Sequence, residues 1–134
     1  MSDRGVCILV VDDEPDVADL FRQRFRRELR EGTYTLHFAA SAEAALDHLR
    51  SDARHDPLLV LSDVNMPGTD GLALLQAIHH EWPELPVLMV TAYGDDERRR
   101  RATALGAADF LCKPVDFDQL KRRLRDITLD GAAA

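Results

Sequence analysis

Cysteine and long apolar runs are scarce in this sequence, and each scarcity excludes a class of protein. The two cysteines, Cys7 and Cys112, lie in apolar runs near opposite ends of the chain and form neither a CxxC pair nor a Cys/His ligand spacing. We therefore expect two buried free thiols of a reducing compartment, with no disulfide framework and no zinc site. The longest continuous apolar run, Val6–Val11, is far shorter than the roughly 18 residues of a membrane-spanning helix. Residues 1–5 carry no signal-peptide pattern, so we expect a soluble cytoplasmic protein.

Positive charge is in deficit as well. The 17 Lys and Arg residues stand against 24 Asp and Glu, so the formal net charge is −7 and the isoelectric point is about 5.1. Because nucleic-acid-binding domains carry a basic surface, direct contact with nucleic acid is not expected. Glycine and proline, at 7 and 6 residues, are too few for a linker or a collagen-like chain. The length of 134 residues predicts a single domain over 1–134, with a core at about 6–128 and a frayed tail at 129–134.

Five short segments have the composition of β-strands, and four of them are almost entirely apolar. The predicted strands are 6–11, 33–39, 58–62, 87–91 and 109–112. Continuous apolarity is typical of parallel strands whose two faces are both covered by helices. In the segment 33–39, Tyr34, Leu36 and Phe38 alternate with polar residues, which predicts an edge strand.

Helical periodicity fills the gaps between these strands and the C-terminal part of the chain. The predicted boundaries are Pro15 and Gly32 for the first helix, a Ser41 cap for the second, Pro83 after the third, Gly106 after the fourth and an Asp116 cap for the fifth. The regular alternation of strand and helix with short links favours right-handed crossovers. The sequence therefore predicts an α/β fold with a doubly wound, five-stranded parallel sheet in a single domain.

Polar residues follow the predicted strands at the points where they end. Asp12 and Asp13 follow the first strand, Asp63 follows the third, Thr91 ends the fourth and Lys113 follows the fifth. Binding sites of open parallel sheets lie at the carboxyl ends of the strands, so we expect these side chains to converge at one rim. The alternative is that the aspartates only cap helices and begin turns. That alternative does not account for a lysine on a different strand.

Three clustered carboxylates repel one another unless a cation neutralises them, and a set of oxygen ligands suits Mg²⁺. With Mg²⁺ and Lys113 present the charges balance, so the rim can accept an anionic phosphoryl group. Asp63 is the candidate nucleophile because it stands alone on a central strand, whereas Asp12 and Asp13 are adjacent and can hold the metal together. The Thr91 hydroxyl and the Lys113 ammonium group are then expected to bind phosphoryl oxygens.

The sequence resembles the receiver domain of two-component response regulators, close to the stand-alone chemotaxis type (CheY-like). The matching motifs are Asp12-Asp13-Glu14, LSDVNMPGTDG around Asp63, Thr91-Ala92 and Lys113-Pro114. They occur in the family's order and extend over about residues 6–124, so the resemblance is specific. It implies a flavodoxin-like (βα)5 fold with strand order 2-1-3-4-5.

The resemblance also implies roles for individual residues. Asp63 would be the phosphoacceptor, and Mg²⁺ would be held by Asp12, Asp13, Asp63 and the backbone carbonyl of Asn65. Thr91 and Phe110 occupy the family's switch positions, and Phe110 lacks the hydroxyl of the more familiar tyrosine. Phe110 could also serve simply as a core residue.

The function implied is a phosphorylation-dependent signalling switch of a phosphorelay, not a turnover enzyme. A sensor histidine kinase or histidine phosphotransfer protein would supply the phosphoryl group, with Mg²⁺ as cofactor and intrinsic self-phosphorylation and self-dephosphorylation. Phosphorylation would remodel the face formed by the fourth predicted helix, the fifth strand and the fifth predicted helix, where a downstream protein would bind. Asn65 and Tyr93 stand at positions that tune the phosphoryl lifetime in this family. Neither nucleic acid nor membrane is expected as a direct partner.

Two other functions use the same fold. A Mg²⁺-dependent haloacid-dehalogenase-like phosphatase needs a second carboxylate two residues after its nucleophile, where this chain has Asn65. A flavin or nucleotide binder needs a phosphate-binding loop, and no GxxxxGK follows Val11. The sequence does not decide whether the chain is free-standing or part of a longer protein, and it names neither the kinase nor the output partner.

Two further segments are open to interpretation. Four consecutive arginines at 98–101 cannot all share one helix face, so at least one should lie near the sheet. The others form a solvated face or a docking surface for an acidic partner. We expect His79 and His80 at the exposed end of a helix, with Trp82 packed over that end.

Overall fold

The computed structural model describes residues 6–51, 58–64, 71–91, 96–112 and 115–133. Within these ranges the strands are β1 (Val6–Val11), β2 (Tyr34–Ala39), β3 (Leu58–Asp63), β4 (Val87–Thr91) and β5 (Asp109–Cys112). The helices are α1 (Pro15–Arg24), α2 (Arg26–Glu31), α3 (Ala42–Arg50), α4 (Gly71–Glu81), α5 (Asp96–Ala104) and α6 (Phe117–Ala133). The fourth and fifth predicted helices are therefore α5 and α6.

The strands form one parallel sheet in the order β2-β1-β3-β4-β5. This confirms the predicted doubly wound, five-stranded sheet, its strand order and the edge position of β2. The register aligns the strand ends, because Val11 pairs with Ser62 of β3 and Thr91 pairs with Cys112 of β5. The carboxyl ends of the strands thus meet at one edge of the sheet.

Helices cover both faces of the sheet, as the apolar strands predicted. Leu9, Val60 and Met89 belong to a core shared with α3, α4 and α5. The strand residues immediately before and after each of them belong to a second core on the opposite face, shared with α1 and α6. Members of that second core include Ile8, Leu59 and Leu88. Full burial of each such side chain contributes about 1.5–3 kcal/mol, so the sheet is a rigid support for the loops at its edge.

The predicted helix boundaries are largely confirmed by backbone contacts. Ser41 Oγ accepts a hydrogen bond from Ala44 N–H at 3.1 Å. Asp116 Oδ1 accepts from the N–H groups of Asp118 and Gln119 at 3.0 and 3.2 Å. These bonds satisfy backbone donors that the first turn of a helix leaves without partners.

The first predicted helix is divided in two at Phe25. Phe25 has φ −103° and ψ 16° and is completely buried, stacked on Phe21 at 5.9 Å between ring centroids. Its ring also meets Tyr34 and Phe117 edge-on. Lys121 Nζ donates to the carbonyl of Arg24 at 2.8 Å, the group at which α1 ends.

One further expectation was wrong. Cys7 is buried, and its burial raises the pKa of the thiol, but Cys112 is exposed. The reason is that β5 is the second edge strand of the sheet, so its last residue is not covered on both faces. The backbone of α6 is helical to Ala133, and the expected fraying of the tail at 129–134 stays a prediction.

The uncertain segments are also resolved in part. Arg98 is half-buried while the next three arginines are exposed, so the four arginines do not share one solvated face. His79 and His80 are exposed as expected, and Trp82 packs against the core beside the end of α4. None of the helices in the described ranges has both the length and the apolar character needed to span a membrane.

Candidate functional site at the carboxyl edge of the sheet

The structure brings the three predicted aspartates together. Asp12 and Asp13 follow β1, and Asp63 is the last residue of the adjacent strand β3. One carboxylate oxygen from each of the three lies within 4.8 Å of the others. The convergence expected from the strand ends is therefore observed for these side chains.

The geometry and the donor set fit a small divalent cation. Two oxygens bound to one Mg²⁺ at about 2.0–2.1 Å can be at most about 4.2 Å apart, slightly less than the spread of this cluster. Asp13 is exposed and Asp12 is half-buried, so small side-chain rotations suffice to close the difference. All ligand atoms are carboxylate oxygens, the type that Mg²⁺ prefers.

Asp63 differs from the other two aspartates in its burial. Its side chain is only 4% exposed, so solvent reaches it only from the rim. Asp12 also accepts a hydrogen bond from Glu14 N–H at its Oδ1, at 3.0 Å. Asp12 does not cap α1, whose N-cap is Glu14, but this bond helps to hold its carboxylate beside Asp63 without excluding a metal.

A glycine that sequence reasoning did not single out supports the backbone of Asp63. Gly71 begins α4, and its N–H donates to the carbonyl of Val64 at 2.9 Å. A Cβ at this position would lie 2.2 Å from the carbonyl oxygen of Asp63 and 2.7 Å from that of Val64. Only glycine permits this approach, and the sequence signal for it was the glycine that closes the LSDVNMPGTDG motif.

Thr91 lies at the same edge with an unusual hydroxyl group. The residue is completely buried, and its Oγ1 has no hydrogen-bond partner among the described residues. An unpaired buried hydroxyl costs about 1–3 kcal/mol, so a native structure rarely retains one without a function. This oxygen is a donor available to a group that enters the rim.

Phe110, the other predicted switch residue, is half-buried. It packs against the core on the side of α5, together with Leu105 and Ala107. The guanidinium carbon of Arg99 lies 5.3 Å from the centre of its ring, within the range of a cation–π interaction. Phe110 is thus neither a fully enclosed core residue nor a free one.

Lys113 and Asn65 lie outside the described residues, as do Ala92, Tyr93, Pro114 and the segment 65–70. Their predicted roles stay predictions. The chain leaves β5 at Cys112, which pairs with Thr91, so the strand that precedes Lys113 ends at the same edge of the sheet.

Sequence reasoning also missed a cavity that leads away from the carboxylates. It has a volume of about 770 Å³ and runs between α1 and the start of α6. Asp12 and Asp63 line one end, and Val17, Leu20 and Phe21 form part of its apolar wall. Leu20 is 40% exposed, and its position beside the buried stripe of α1 was the available signal.

Comparison with known proteins identifies the family. The description "Response regulator receiver domain" matches residues 8–125. The chain belongs to this family. As a receiver domain it is a signalling domain of two-component systems, which confirms the predicted family, and nothing in these comparisons supports the phosphatase alternative.

Relatives of this receiver domain are longer proteins. The response regulator protein FleR of Pseudomonas aeruginosa is 43% identical over 109 residues, which make up 81% of this chain and 22% of FleR. The transcriptional regulatory protein ZraR of Escherichia coli is 37% identical over 124 residues, or 92% of this chain and 26% of ZraR. The receiver domain therefore spans about a quarter of the length of such relatives.

Solved structures give the same result for the fold. The receiver domain of NtrX from Brucella abortus has a TM-score of 0.75 at 36% identity, covering 89% of this chain and 95% of that one. The receiver domain of an HD domain-containing protein from Pseudomonas fluorescens has a TM-score of 0.83 at 30% identity, covering 98% and 100%. These likenesses extend over nearly the whole chain.

Proposed function

We propose that this receiver domain is a phosphorylation-dependent switch in which Asp63 accepts a phosphoryl group from a histidine kinase or a histidine phosphotransfer protein. The observation that carries the proposal is the enclosed Asp63 carboxylate with oxygens of Asp12 and Asp13 within 4.8 Å. A nucleophile that attacks phosphorus meets like charge, so it needs a neutralising environment. Because the three carboxylates are all negatively charged, a bound cation has to provide this neutralisation.

The metal is proposed to be Mg²⁺. Asp12, Asp13, Asp63 and the backbone carbonyl of Asn65 would hold it, and when bound it would neutralise charge on the carboxylates and on the transferring oxygens. The all-oxygen donor set supports this choice.

Transfer is a displacement at phosphorus. A carboxylate oxygen of Asp63 forms the new O–P bond while the P–N bond to the donor imidazole breaks, and the nitrogen keeps the electron pair. The Thr91 hydroxyl donates to one phosphoryl oxygen and the Lys113 ammonium group pairs with another. The same site gives self-phosphorylation from small phosphate donors and self-dephosphorylation when water attacks the phosphorus.

The signal follows from the new charge. Phosphorylation makes the charge at position 63 more negative, from −1 to roughly −2, and adds acceptor oxygens. These oxygens attract the Thr91 hydroxyl, which is buried and has no hydrogen-bond partner among the described residues. The space that Thr91 leaves admits Phe110, whose half-buried position allows movement. The face formed by α5, β5 and α6 is remodelled, and a downstream protein reads it.

The net charge of −7 favours protein partners over nucleic acid or membrane lipids. A cytoplasmic location follows from the proposed exchange of phosphoryl groups with a kinase.

The test is phosphorylation by acetyl phosphate or phosphoramidate with Mg²⁺, followed by intact mass spectrometry. One phosphoryl group should be added to the parent chain and none to Asp63→Asn. Asp47→Asn is the matched control, because Asp47 is exposed on α3 and is not part of the carboxylate cluster, and it should be labelled fully. Undiminished, hydroxylamine-labile labelling of Asp63→Asn would refute the assignment.

A further inference from the structure

Helix α5 has an unusual surface for a protein with a net charge of −7. The nine-residue helix contains four arginines and buries only Ala102 among its described residues. Arg98 is half-buried, whereas Arg99, Arg100 and Arg101 are exposed. Arg99 and Arg100, which stand about 100° apart around the helix, are called the arginine face below, together with the ring of Phe110.

The exposed arginines of this face have no carboxylate partner among the described residues. Asp96 and Glu97 stand four residues before Arg100 and Arg101, at the spacing that forms helix ion pairs, yet α5 shows no such pair. Elsewhere this fold does pair its arginines: Arg50 of α3 meets Glu81 of α4 at 2.5 Å, and Arg123 of α6 meets Asp109 of β5. Arg99, Arg100 and Arg101 therefore form no ion pair that joins α5 to another described part of the chain.

Arg99 has a special position on the arginine face. Its guanidinium group lies over Phe110 at 5.3 Å from the ring centre. Stacking on an aromatic face restrains the guanidinium plane but leaves its N–H edge available to a carboxylate. The ring thus prepares Arg99 for a bidentate contact at a reduced cost in side-chain entropy.

The charge distribution selects the kind of partner. A concentration of guanidinium groups attracts carboxylates or phosphates, but the overall negative charge of the chain repels nucleic acid and anionic membranes over their larger footprints. A short acidic protein segment can contact the arginine face without approaching the rest of the surface. Phe110 adds an apolar floor that suits such a segment better than a polyphosphate.

We propose that the arginine face docks an acidic segment of a partner protein, with Arg99 as the anchor held ready by Phe110. Carboxylates of the segment bind Arg99 and Arg100, and an apolar side chain lies near the ring. The docking itself needs no phosphorylation, and its regulation rests on the proposed function, because movement of Phe110 removes the support from Arg99. Phosphorylation should then weaken docking roughly two- to fivefold, the strength of an exposed cation–π contact.

The experiment uses a short synthetic helical peptide of glutamate, alanine and leucine, titrated into the full chain by NMR and calorimetry. Amide shifts should be confined to α5, β5 and neighbouring parts of α6. The double substitution Arg99→Gln/Arg100→Gln should weaken binding at least about fivefold, and Phe110→Leu about twofold or more. The control is Arg26→Gln/Arg30→Gln, which removes the same charge from exposed positions of α2 and should change affinity less than twofold.

Several results would overturn the proposal. Equal losses in the two double variants would mean that the peptide senses only net charge, and equal binding of a glutamine version of the peptide would exclude carboxylate recognition. Equal or tighter binding of single-stranded DNA would indicate nucleic acid, and self-association abolished by the α5 substitutions would indicate that a second copy covers the face. Intact-mass phosphorylation of the same samples tests Asp63 separately, so docking can stand or fall independently of the phosphoacceptor.

Discussion

The residues at the rim differ in burial, and the differences match the roles proposed for them. Asp63 is 4% exposed, whereas Asp13 faces solvent, so the proposed nucleophile is shielded while the metal ligand remains open to exchange with water. Thr91 is fully buried, and its hydroxyl has no hydrogen-bond partner within the described part of the chain. The residue that should sense phosphorylation is therefore the one with the most to gain from a new hydrogen-bond acceptor.

Thr91→Ala and Lys113→Ala should impair transmission of the signal more than acceptance of the phosphoryl group. Both side chains are proposed to bind oxygens that are present at Asp63 only after transfer. The variants should still be phosphorylated, although more slowly, but NMR shifts in α5, at Phe110 and in α6 should be smaller than in the parent. Full parental shifts in both variants would mean that coupling takes another route.

At the scale of secondary-structure elements, β3 and α4 are joined by a very close backbone contact. The Cβ of any residue at position 71 would overlap the carbonyl oxygens of Asp63 and Val64. The start of α4 therefore helps to fix where Asp63 leaves the sheet. Helix packing and placement of the nucleophile depend on the same glycine.

Gly71→Ala should destabilise the chain by about 1–3 kcal/mol, as overpacking usually does, and should slow phosphorylation of Asp63. The measurements are urea unfolding and the rate of labelling by acetyl phosphate. Gly131→Ala in α6 is the matched control, since alanine is the better helix former there and should be neutral or stabilising. Parental stability and labelling in Gly71→Ala would contradict the close contact.

A second junction joins α6 to the break between α1 and α2. Lys121 donates to the carbonyl of Arg24 and pairs with Glu28 at 3.0 Å, both side chains being largely covered. Burial by itself raises the pKa of Glu28, but the hydrogen bond and charge of Lys121 outweigh it and hold the pKa below its usual range. A carboxyl with a lowered folded-state pKa stabilises the fold above its unfolded pKa, and that contribution disappears as the pH falls through the folded value.

Lys121→Met should therefore cost about 1–3 kcal/mol at pH 7, because a carbonyl and a carboxylate lose their partner. The parent should lose more stability than the variant between pH 7 and the acid range below about 4.3, the ordinary pKa of glutamate. Urea unfolding across this range measures both. Arg50→Met breaks the exposed pair with Glu81 and should have a smaller effect, since solvent screens that pair; parallel pH curves for parent and Lys121→Met would refute the prediction.

At the scale of the whole molecule, a two-sided α/β sandwich carries a cluster of three carboxylates at one edge of its sheet. Two cores fill the faces of the sheet, and the three carboxylates meet at its edge. Like charges in such a cluster repel one another, so a bound divalent cation should stabilise the fold. Stability and metal binding should therefore be linked.

Mg²⁺ should stabilise the parent chain by about 2.7 kcal/mol at a concentration one hundred times its Kd. Asp13→Ala should lose most of this gain while keeping its fold, and without Mg²⁺ it should be at least as stable as the parent, because one repelling charge is removed. Thermal unfolding and Mg²⁺ titration, against NaCl at matched ionic strength, provide the measurements. An equal gain in Asp13→Ala would place the metal elsewhere.

Local features determined much of this protein from its sequence. Apolar runs specified four of the strands and alternation specified the edge strand β2. The Ser41 and Asp116 caps began their helices where predicted because capping is decided within a few residues. Since parallel strands present their carboxyl ends at one edge, the meeting of Asp12, Asp13 and Asp63 also followed from sequence.

Other features depended on contacts between distant segments, and only the tertiary structure decided them. At the break, the Phe25 ring contacts Tyr34 and Phe117, and Lys121 donates to the carbonyl of Arg24. None of these three partners lies in α1 or α2. The exposure of Cys112 depends on strand order, and the stacking of Arg99 on Phe110 depends on how α5 lies along β5. Composition and periodicity report the environment of a residue along its own element, whereas these arrangements arise from packing between elements that are separated in the chain.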